Sequence, residues 1–333
     1  MIKAPNPRFS RRLAMLAFMA AAGLLLPSSD RPRAAVASGC APDENVTMPA
    51  CTRTEDVIYG RKFGMALTMD VFQPAQKNGY GVIFLVNGAW YSSHDPESIP
   101  FNYPCVTPAN YKPYLDAGYT VFAVVTSSAP KFSIPEIIED LPRAVRFIRY
   151  NAAKYGVNPE RMGVLGSSSG GHLSLMMGTT GKPGSPDAKD PVDRESSELG
   201  AVACFFPPTD FLNWGGPGID GVGLASMGPL WIVFGPRAWT EPSRQSLGRE
   251  ISPIYYITPK MPPTLIIHGD ADNVVPLQQS ESFVKRAAEV GAPPVKLVVR
   301  KGKGHGWGDF WKSQEDVSLF VEWFDENLRG MKK

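Results

Sequence analysis

The sequence has little net charge and few cysteines, and these two shortages argue against particular partners and against a common kind of metal site. Its 34 basic side chains nearly balance its 32 acidic ones, which leaves a formal charge of +2. So small a surplus gives no reason to expect nucleic acid or an anionic membrane as a partner. The four cysteines include no C-x-x-C pair, so the usual spacing of a zinc site is missing.

The cysteines suit an exported protein that is able to form disulfides. Cys40 and Cys51 flank a short polar stretch and are able to bridge. Cys204 lies in an apolar run and is expected to be a buried free thiol. Spacing alone leaves the pairing of these residues and of Cys105 open.

The first apolar run, residues 13–26, follows a cluster of basic residues and is too short to span a bilayer comfortably. An A-x-A sequence at residues 35–37 provides a cleavage site. The pattern predicts an export signal over residues 1–37 and a mature domain over residues 38–333, in the periplasm or outside the cell, with no membrane span. A lipid anchor on Cys40 is the alternative, because the residues before it resemble a lipoprotein box without its usual leucine.

Short apolar runs alternate with longer segments of helical period, such as Pro135–Tyr155, Gln278–Val290 and Ser313–Leu328. The apolar runs are Tyr80–Val86, Tyr119–Val125, Met162–Leu165, Gly200–Phe206, Thr264–Ile267 and Val295–Val299. This alternation predicts an α/β fold with a mostly parallel central sheet flanked by helices. Glu55–Tyr59 and Ala66–Phe72 alternate apolar and polar residues, which indicates an antiparallel edge.

The segment Asp210–Ser252 is too long for a simple connection between two strands. It mixes glycine and proline with large apolar side chains. Two interpretations follow: a cap-like insertion over a site, or a packed surface subdomain with no gating role.

The sequence Gly166-Ser167-Ser168-Ser169-Gly170 stands between a predicted strand and a predicted helix. A nucleophile elbow needs this context, because its central serine occupies a strained turn that only small neighbours permit. Ser168 alone among the three serines has glycine two positions away on both sides. It is therefore the predicted nucleophile.

A serine hydroxyl needs a base, and only four histidines are present. His305 lies in a glycine-rich loop after the last predicted strand, where a base that shuttles a proton is well placed. His172 falls within the helix after the elbow, which favours a structural hydrogen bond. His94 lies in a loop, and His268 ends a strand.

The base needs a carboxylate to orient it. Asp272 follows the predicted strand that ends at Ile267 and is the favoured residue. Asp270, in the same turn, and Asp210, which follows another strand, are the alternatives. For Asp270 the competing role is to bind backbone N–H groups in the turn, and for Asp210 it is to cap the following segment.

Tyr155–His172 and His268–Pro276 resemble motifs of the esterase and lipase branch of the α/β-hydrolase superfamily, near its hormone-sensitive-lipase-like and feruloyl-esterase-like groups. The resemblance runs from about Met65 to Glu326, and the C-terminal third is also similar to prolyl-oligopeptidase-type catalytic domains. In the family's second motif the acid falls on Asp272, and its Gly-His-Gly loop places the base at His305.

The chain departs from the family at the oxyanion hole. These enzymes usually carry His-Gly-Gly-(Gly/Ala)-Trp, whereas this chain has Val86-Asn87-Gly88-Ala89-Trp90, which puts Asn87 at the first glycine. Because the hole uses backbone N–H groups, Ser169 with Gly88 or Ala89 is expected to form it. Asn87 either holds the loop by side-chain hydrogen bonds or itself donates.

These observations predict a serine hydrolase that cleaves small-molecule carboxylic esters through an acyl-enzyme, without a metal or organic cofactor. Trp90, Tyr91, Phe206 and Trp307 are the predicted pocket walls, with ordinary core packing as their alternative. A serine peptidase and a non-catalytic binding protein on the same fold are the competing functions. The oligomeric state is left open.

Overall fold

A computed structural model describes residues 47–94, 108–222, 228–307 and 310–331 of the chain. The predicted export signal, Cys40 and Cys105 lie outside these residues. Cys51 and Cys204 lie within them, and both are free thiols. Cys204 is buried as expected, and burial raises the pKa of its thiol.

Eight strands of the described residues form one sheet. They are β1 (Cys51–Lys62), β2 (Met65–Pro74), β3 (Gly81–Leu85), β4 (Thr120–Val124), β5 (Met162–Ser167), β6 (Ala201–Phe205), β7 (Thr264–Gly269) and β8 (Val295–Arg300). Their order is β1-β2-β4-β3-β5-β6-β7-β8. β1 and β2 pair antiparallel, as does β2 with β4, and the remaining pairs are parallel. The predicted sheet and its antiparallel edge are confirmed.

Helices cover both faces of the sheet. They are α1 (Lys112–Asp116), α2 (Ile134–Tyr150), α3 (Ala152–Tyr155), α4 (Ser169–Thr180), α5 (Glu241–Ile251), α6 (Gln278–Glu289) and α7 (Gln314–Phe324). Successive strand residues point to opposite faces. Val164 of β5 accordingly joins the core beneath α2 and α4, and Leu165 joins the core beneath α1 and α7.

The single helix expected over Pro135–Tyr155 is two helices. The side chain of Asn151 donates from Nδ2 to the carbonyl of Phe147, 2.8 Å away, which ends α2 by capping it. α3 follows and ends at Gly156, whose φ of 67° is the left-handed conformation that glycine favours. Gly156 therefore ends the helical segment as predicted, but the helix that it ends is α3 rather than α2.

The described part of the segment between β6 and β7 packs onto the α2 and α4 face of the core. Its buried apolar residues Phe211, Trp214, Phe234 and Leu247 belong to the same core as β5. α5 lies within this segment and ends at Ile251, whose carbonyl is hydrogen-bonded to His172 of α4. The described part of this segment is therefore fixed to the core by buried contacts.

Candidate active site

Ser168 occupies a sharp turn between β5 and α4. Its φ of 51° and ψ of −117° lie outside the regions that L-residues prefer. Its backbone N–H donates to the carbonyl of Phe205 on the neighbouring strand, 3.0 Å away. A Cβ on Gly166 would lie 2.5 Å from the backbone of Gly170, so glycine is required there. The local sequence therefore imposes the strained turn that carries the serine.

The structure brings Ser168, His305 and Asp272 together in one hydrogen-bonded chain. The Nε2 atom of His305 lies 2.9 Å from Ser168 Oγ, and its Nδ1 lies 2.7 Å from Asp272 Oδ2. A carboxylate only accepts, so Nδ1 carries the proton and Nε2 accepts from the serine hydroxyl. This is the tautomer that a general base requires.

Asp272 is held as an anion in a buried position. Burial disfavours its charged form, but hydrogen bonds from His268 and His305 and from the Val275 N–H keep the pKa of this carboxyl well below its usual range. Its Oδ1 accepts from the N–H groups of Val274 and Val275 at 2.9 and 2.8 Å. Both oxygens are therefore oriented by donors.

The two alternative acids have other partners. Asp270 is exposed, and its Oδ1 accepts from the N–H of Gly302 at 2.5 Å. The carboxylate of Asp210 accepts from the Leu212 N–H and from the side chain of Asn213, at 3.0 and 2.7 Å. Each therefore binds backbone or a neighbouring side chain, which are the competing roles expected from sequence.

Two other histidines support the site from within. His172 is buried and accepts from Trp90 Nε1 at 3.1 Å, and its Nε2 lies 2.6 Å from the carbonyl of Ile251. Burial lowers the pKa of His172 to about 4, so this ring is neutral and structural, as predicted. His268 received no role from sequence, yet its Nε2 lies 3.3 Å from Asp272 Oδ2. The sequence feature that could have indicated this role is the position of His268 at the end of a strand, four residues before Asp272.

The loop at residues 86–91 closes as a tight turn. The N–H of Gly88 donates to the carbonyl of Tyr91 at 2.9 Å, and the return bond is 2.8 Å long. The N–H of Gly88 is therefore occupied by the Tyr91 carbonyl, so the prediction that Gly88 donates to the oxyanion is wrong. Within the described residues no acceptor is found for the N–H of Ala89 or for that of Ser169. The side chain of Asn87 bonds to Ser169 and Thr126, which holds the loop.

Two of the four predicted pocket walls are core residues instead. Trp90 is 2% exposed, because its ring packs against the insertion at Phe211 and Phe234. Phe206 is fully buried, and its ring packs against that of the base His305, with 4.7 Å between the ring centroids. Tyr91 and Trp307 are half-buried, and their role as pocket walls stays a prediction.

One group of possible metal ligands occurs among the described residues. Asp56, Asp70 and His94 place ligand atoms within 4.8 Å of one another. Asp70 Oδ2 already accepts from two nitrogens of Arg53, at 2.9 and 2.5 Å. A cation at this position would have to compete with the guanidinium, and the group includes no residue of the serine site.

The mostly parallel sheet, the strand–turn–helix elbow and the loops at its carboxyl edge define an α/β-hydrolase fold. Residues 69–287 match the BD-FAE family model. The chain belongs to the BD-FAE family.

Among known proteins, the chain is similar to two from Mycobacterium tuberculosis. It is 24% identical to the probable carboxylic ester hydrolase LipM over 72% of this chain and 53% of the relative. It is 28% identical to the esterase LipC over 57% of this chain and 45% of the relative. The chain thus spans about half the length of these curated relatives.

A solved structure of a truncated carbohydrate esterase from gut microbiota is also similar. It superimposes with a TM-score of 0.69 at 27% identity and covers 85% of this chain and all of that one (100%). In the part of the chain that the structure describes, no helix has both the length and the apolar character needed to cross a membrane.

Proposed function

We propose that the protein is a serine hydrolase that cleaves small-molecule carboxylic esters through an acyl-enzyme intermediate. The observation that carries this proposal is the relay of two hydrogen bonds, 2.9 and 2.7 Å long, from Ser168 through His305 to Asp272. The relatives support the reaction class, because LipM, LipC and the carbohydrate esterase are all named as ester hydrolases.

In the first half-reaction, Ser168 Oγ attacks the carbonyl carbon of the ester while its proton passes to His305 Nε2. Asp272 stabilises the imidazolium that forms. The tetrahedral intermediate then collapses, and the C–O bond to the alcohol breaks. The leaving alkoxide takes the proton from His305 Nε2, and the acyl group remains on Ser168 Oγ.

Water completes the cycle. It attacks the acyl carbon as His305 Nε2 accepts one of its protons, and the second tetrahedral intermediate forms. Collapse of this intermediate breaks the bond to Ser168 Oγ, which recovers its proton from His305. The carboxylic acid leaves, and the starting relay is restored.

The negative charge of each tetrahedral intermediate is stabilised by backbone N–H groups. Ser169 supplies one from the first residue of α4, where helix N–H groups have no partner within the helix. Ala89 supplies the second from the loop after β3. Ala89 has a φ of 51°, so the loop leaves the extended conformation at this residue. The N–H of the preceding residue, Gly88, is already bonded to the Tyr91 carbonyl.

Hydrolysis of p-nitrophenyl acetate and butyrate by the wild type, Ser168→Ala and Ser167→Ala tests the proposal. Loss of the nucleophile is expected to lower kcat by roughly four to six orders of magnitude. Ser167→Ala removes a neighbouring hydroxyl that is outside the relay and should keep most of the activity. Ester turnover by Ser168→Ala within tenfold of wild type would contradict the proposal, and preferential turnover of aminoacyl anilides would support a peptidase instead.

A further inference from the structure

The two proposed oxyanion donors come from segments that are distant in sequence. Ala89 follows β3, and Ser169 opens α4. An oxyanion is stabilised only when both N–H groups point at the same oxygen position. Some contact must therefore fix the loop against the helix, and the backbone of the loop turn bonds to itself rather than to α4.

Two side-chain hydrogen bonds join the loop to α4, one from Trp90 Nε1 to His172 and one between Asn87 and Ser169, and only the second reaches a residue that supplies a donor. Ser169 Oγ donates to Asn87 Oδ1 at 2.7 Å. Asn87 is 2% exposed and Ser169 is fully buried, so water does not compete for either group. The hydroxyl belongs to the residue that supplies one donor, and the carboxamide stands two residues before the residue that supplies the other.

The loop is held from its other side as well. Asn87 Nδ2 lies 3.4 Å from Thr126 Oγ1, beyond the end of β4. The N–H of Thr126 donates to Ser92 Oγ at 3.0 Å, and this hydroxyl donates to the carbonyl of Val86 at 2.5 Å. Asn87 thus stands between α4 and a second hydrogen-bonded anchor.

Residue 87 lies beside the first turn of α4. A Cβ on Gly170 would lie 3.5 Å from the carbonyl oxygen of Asn87 and 3.7 Å from its Cβ, so the first turn of α4 runs close to the loop. The resembling enzymes carry glycine at this position. A glycine here would leave the hydroxyl of Ser169 buried without its acceptor.

We propose that Asn87 is a positioning residue that sets the oxyanion hole by its hydrogen bond to Ser169 Oγ. The inference rests on the proposed function and deepens it. Asn87 acts through the two backbone donors and contacts no substrate. Because these donors act most strongly on the charge of the transition state, losing the bond should lower kcat and leave KM nearly unchanged.

A double-mutant cycle tests the bond by comparing Asn87→Ala, Ser169→Ala and the double variant with the wild type on p-nitrophenyl butyrate. The concentration of active enzyme in each preparation is determined by active-site titration. Each single change is expected to lower kcat about ten- to a hundredfold, with KM within twofold. The double variant should be no slower than the slower single variant, because both changes remove the same contact. Ser174→Ala is the matched control, since it removes another buried α4 hydroxyl, bonded to the carbonyl of Gly170 at 2.8 Å.

A short-chain trifluoromethyl ketone separates positioning from a loss of folded protein. It forms a tetrahedral adduct on the serine, so its inhibition constant should rise by the same factor by which kcat/KM falls. If Asn87→Ala does not fold, Ser169→Ala removes the same hydrogen bond without altering the loop.

The inference is overturned if both single variants behave like Ser174→Ala, if their effects multiply, or if the inhibition constant does not move. These outcomes differ from failure of the proposed function. If the proposed function fails, Ser168→Ala keeps wild-type turnover. If only the inference about Asn87 fails, Ser168→Ala is inactive, and the Asn87 and Ser169 variants alone depart from expectation.

Discussion

The nucleophile elbow and the oxyanion loop use the same strained backbone but stabilise it differently. Ser168 has a φ of 51°, and Ala89 and Trp90 have φ values of 51° and 63°, all in the left-handed region. The elbow is fixed by backbone bonds, since Ser168 donates to Phe205 and its carbonyl accepts from the His172 N–H at 2.8 Å. The loop closes on itself by the two backbone bonds between Gly88 and Tyr91, but side chains attach it to the rest of the protein, since Trp90 is buried in the core and Asn87 bonds to Ser169.

This difference shows where each half of the site is encoded. The steric requirement of the elbow comes from Gly166 and Gly170, which stand four residues apart, so this requirement is local in sequence. The loop depends on the ring of Trp90, which meets His172 of α4 and Phe234 of the insertion. Oxyanion geometry is therefore tied to tertiary packing, and changes remote from Ser168 in sequence should reach it.

Trp90→Ala should have the largest effect on stability, because it removes a buried aromatic ring and orphans Nδ1 of His172. We expect a loss of about 3–5 kcal/mol in the free energy of unfolding. Urea denaturation measures it. Trp239→Ala is the control, since that indole is 65% exposed and its loss should be nearly neutral. Equal effects of the two changes would contradict the anchoring role of Trp90.

Acid should weaken the anchor through His172. The pKa of this ring is lowered to about 4 in the folded protein, whereas it is about 6.5 when exposed. Between these values the unfolded chain binds a proton that the folded chain does not, so stability falls as the pH drops from 6.5 to 4. The expected loss is up to about 3 kcal/mol.

The free energy of unfolding of the wild type and of His172→Asn, measured across this pH range, checks the linkage. The asparagine retains an acceptor near Trp90 but does not titrate, so its curve should fall less steeply with acid. Parallel curves for the two proteins would show that His172 is not the titrating group.

Gly166→Ala should break the elbow without touching the loop. The added Cβ would lie 2.5 Å from the backbone of Gly170, and neither segment has a flexible side chain that is able to yield. The expected cost is about 1–3 kcal/mol, together with loss of most ester turnover. Gly291→Ala, at a glycine with no atom within 4 Å of its Cβ position, controls for the added methyl group, although its φ of 68° adds some strain. A fully active Gly166→Ala variant would argue against a strained elbow.

The smallest expected effect concerns the acid side of the relay. Nε2 of His268 faces the Val275 carbonyl at 2.8 Å and Asp272 Oδ2 at 3.3 Å, so it is a donor, and Ser280 Oγ donates to its Nδ1 over 2.7 Å. His268→Leu removes one donor from Asp272 and raises the pKa of that carboxyl. The carboxylate then holds the protonated His305 more strongly.

The acidic limb of kcat/KM should therefore move to higher pH by about half a unit to one unit in His268→Leu. His268→Gln places an amide N–H near the position of Nε2 and should restore most of the wild-type profile. An unmoved profile in the leucine variant would show that His268 only fills space.

The sequence was informative wherever local residues determine the geometry. The periodic strands, the antiparallel edge and the meeting of Ser168, His305 and Asp272 at one edge of the sheet followed from motif context and chain order. The Gly88 donor did not, because only the closure of the turn onto Tyr91 shows that its N–H is used. Trp90 and Phe206 were misplaced as pocket walls, because their burial depends on the insertion and on the loop after β8.

Labelling with a fluorophosphonate probe tests the central claim most directly. Intact mass measurement should show one adduct per chain, and peptide mapping should place it on Ser168, in the wild type and in Ser167→Ala. Ser168→Ala should not be labelled. An adduct on another residue, or undiminished labelling of Ser168→Ala, would contradict the proposal that the relay of Ser168, His305 and Asp272 activates this serine.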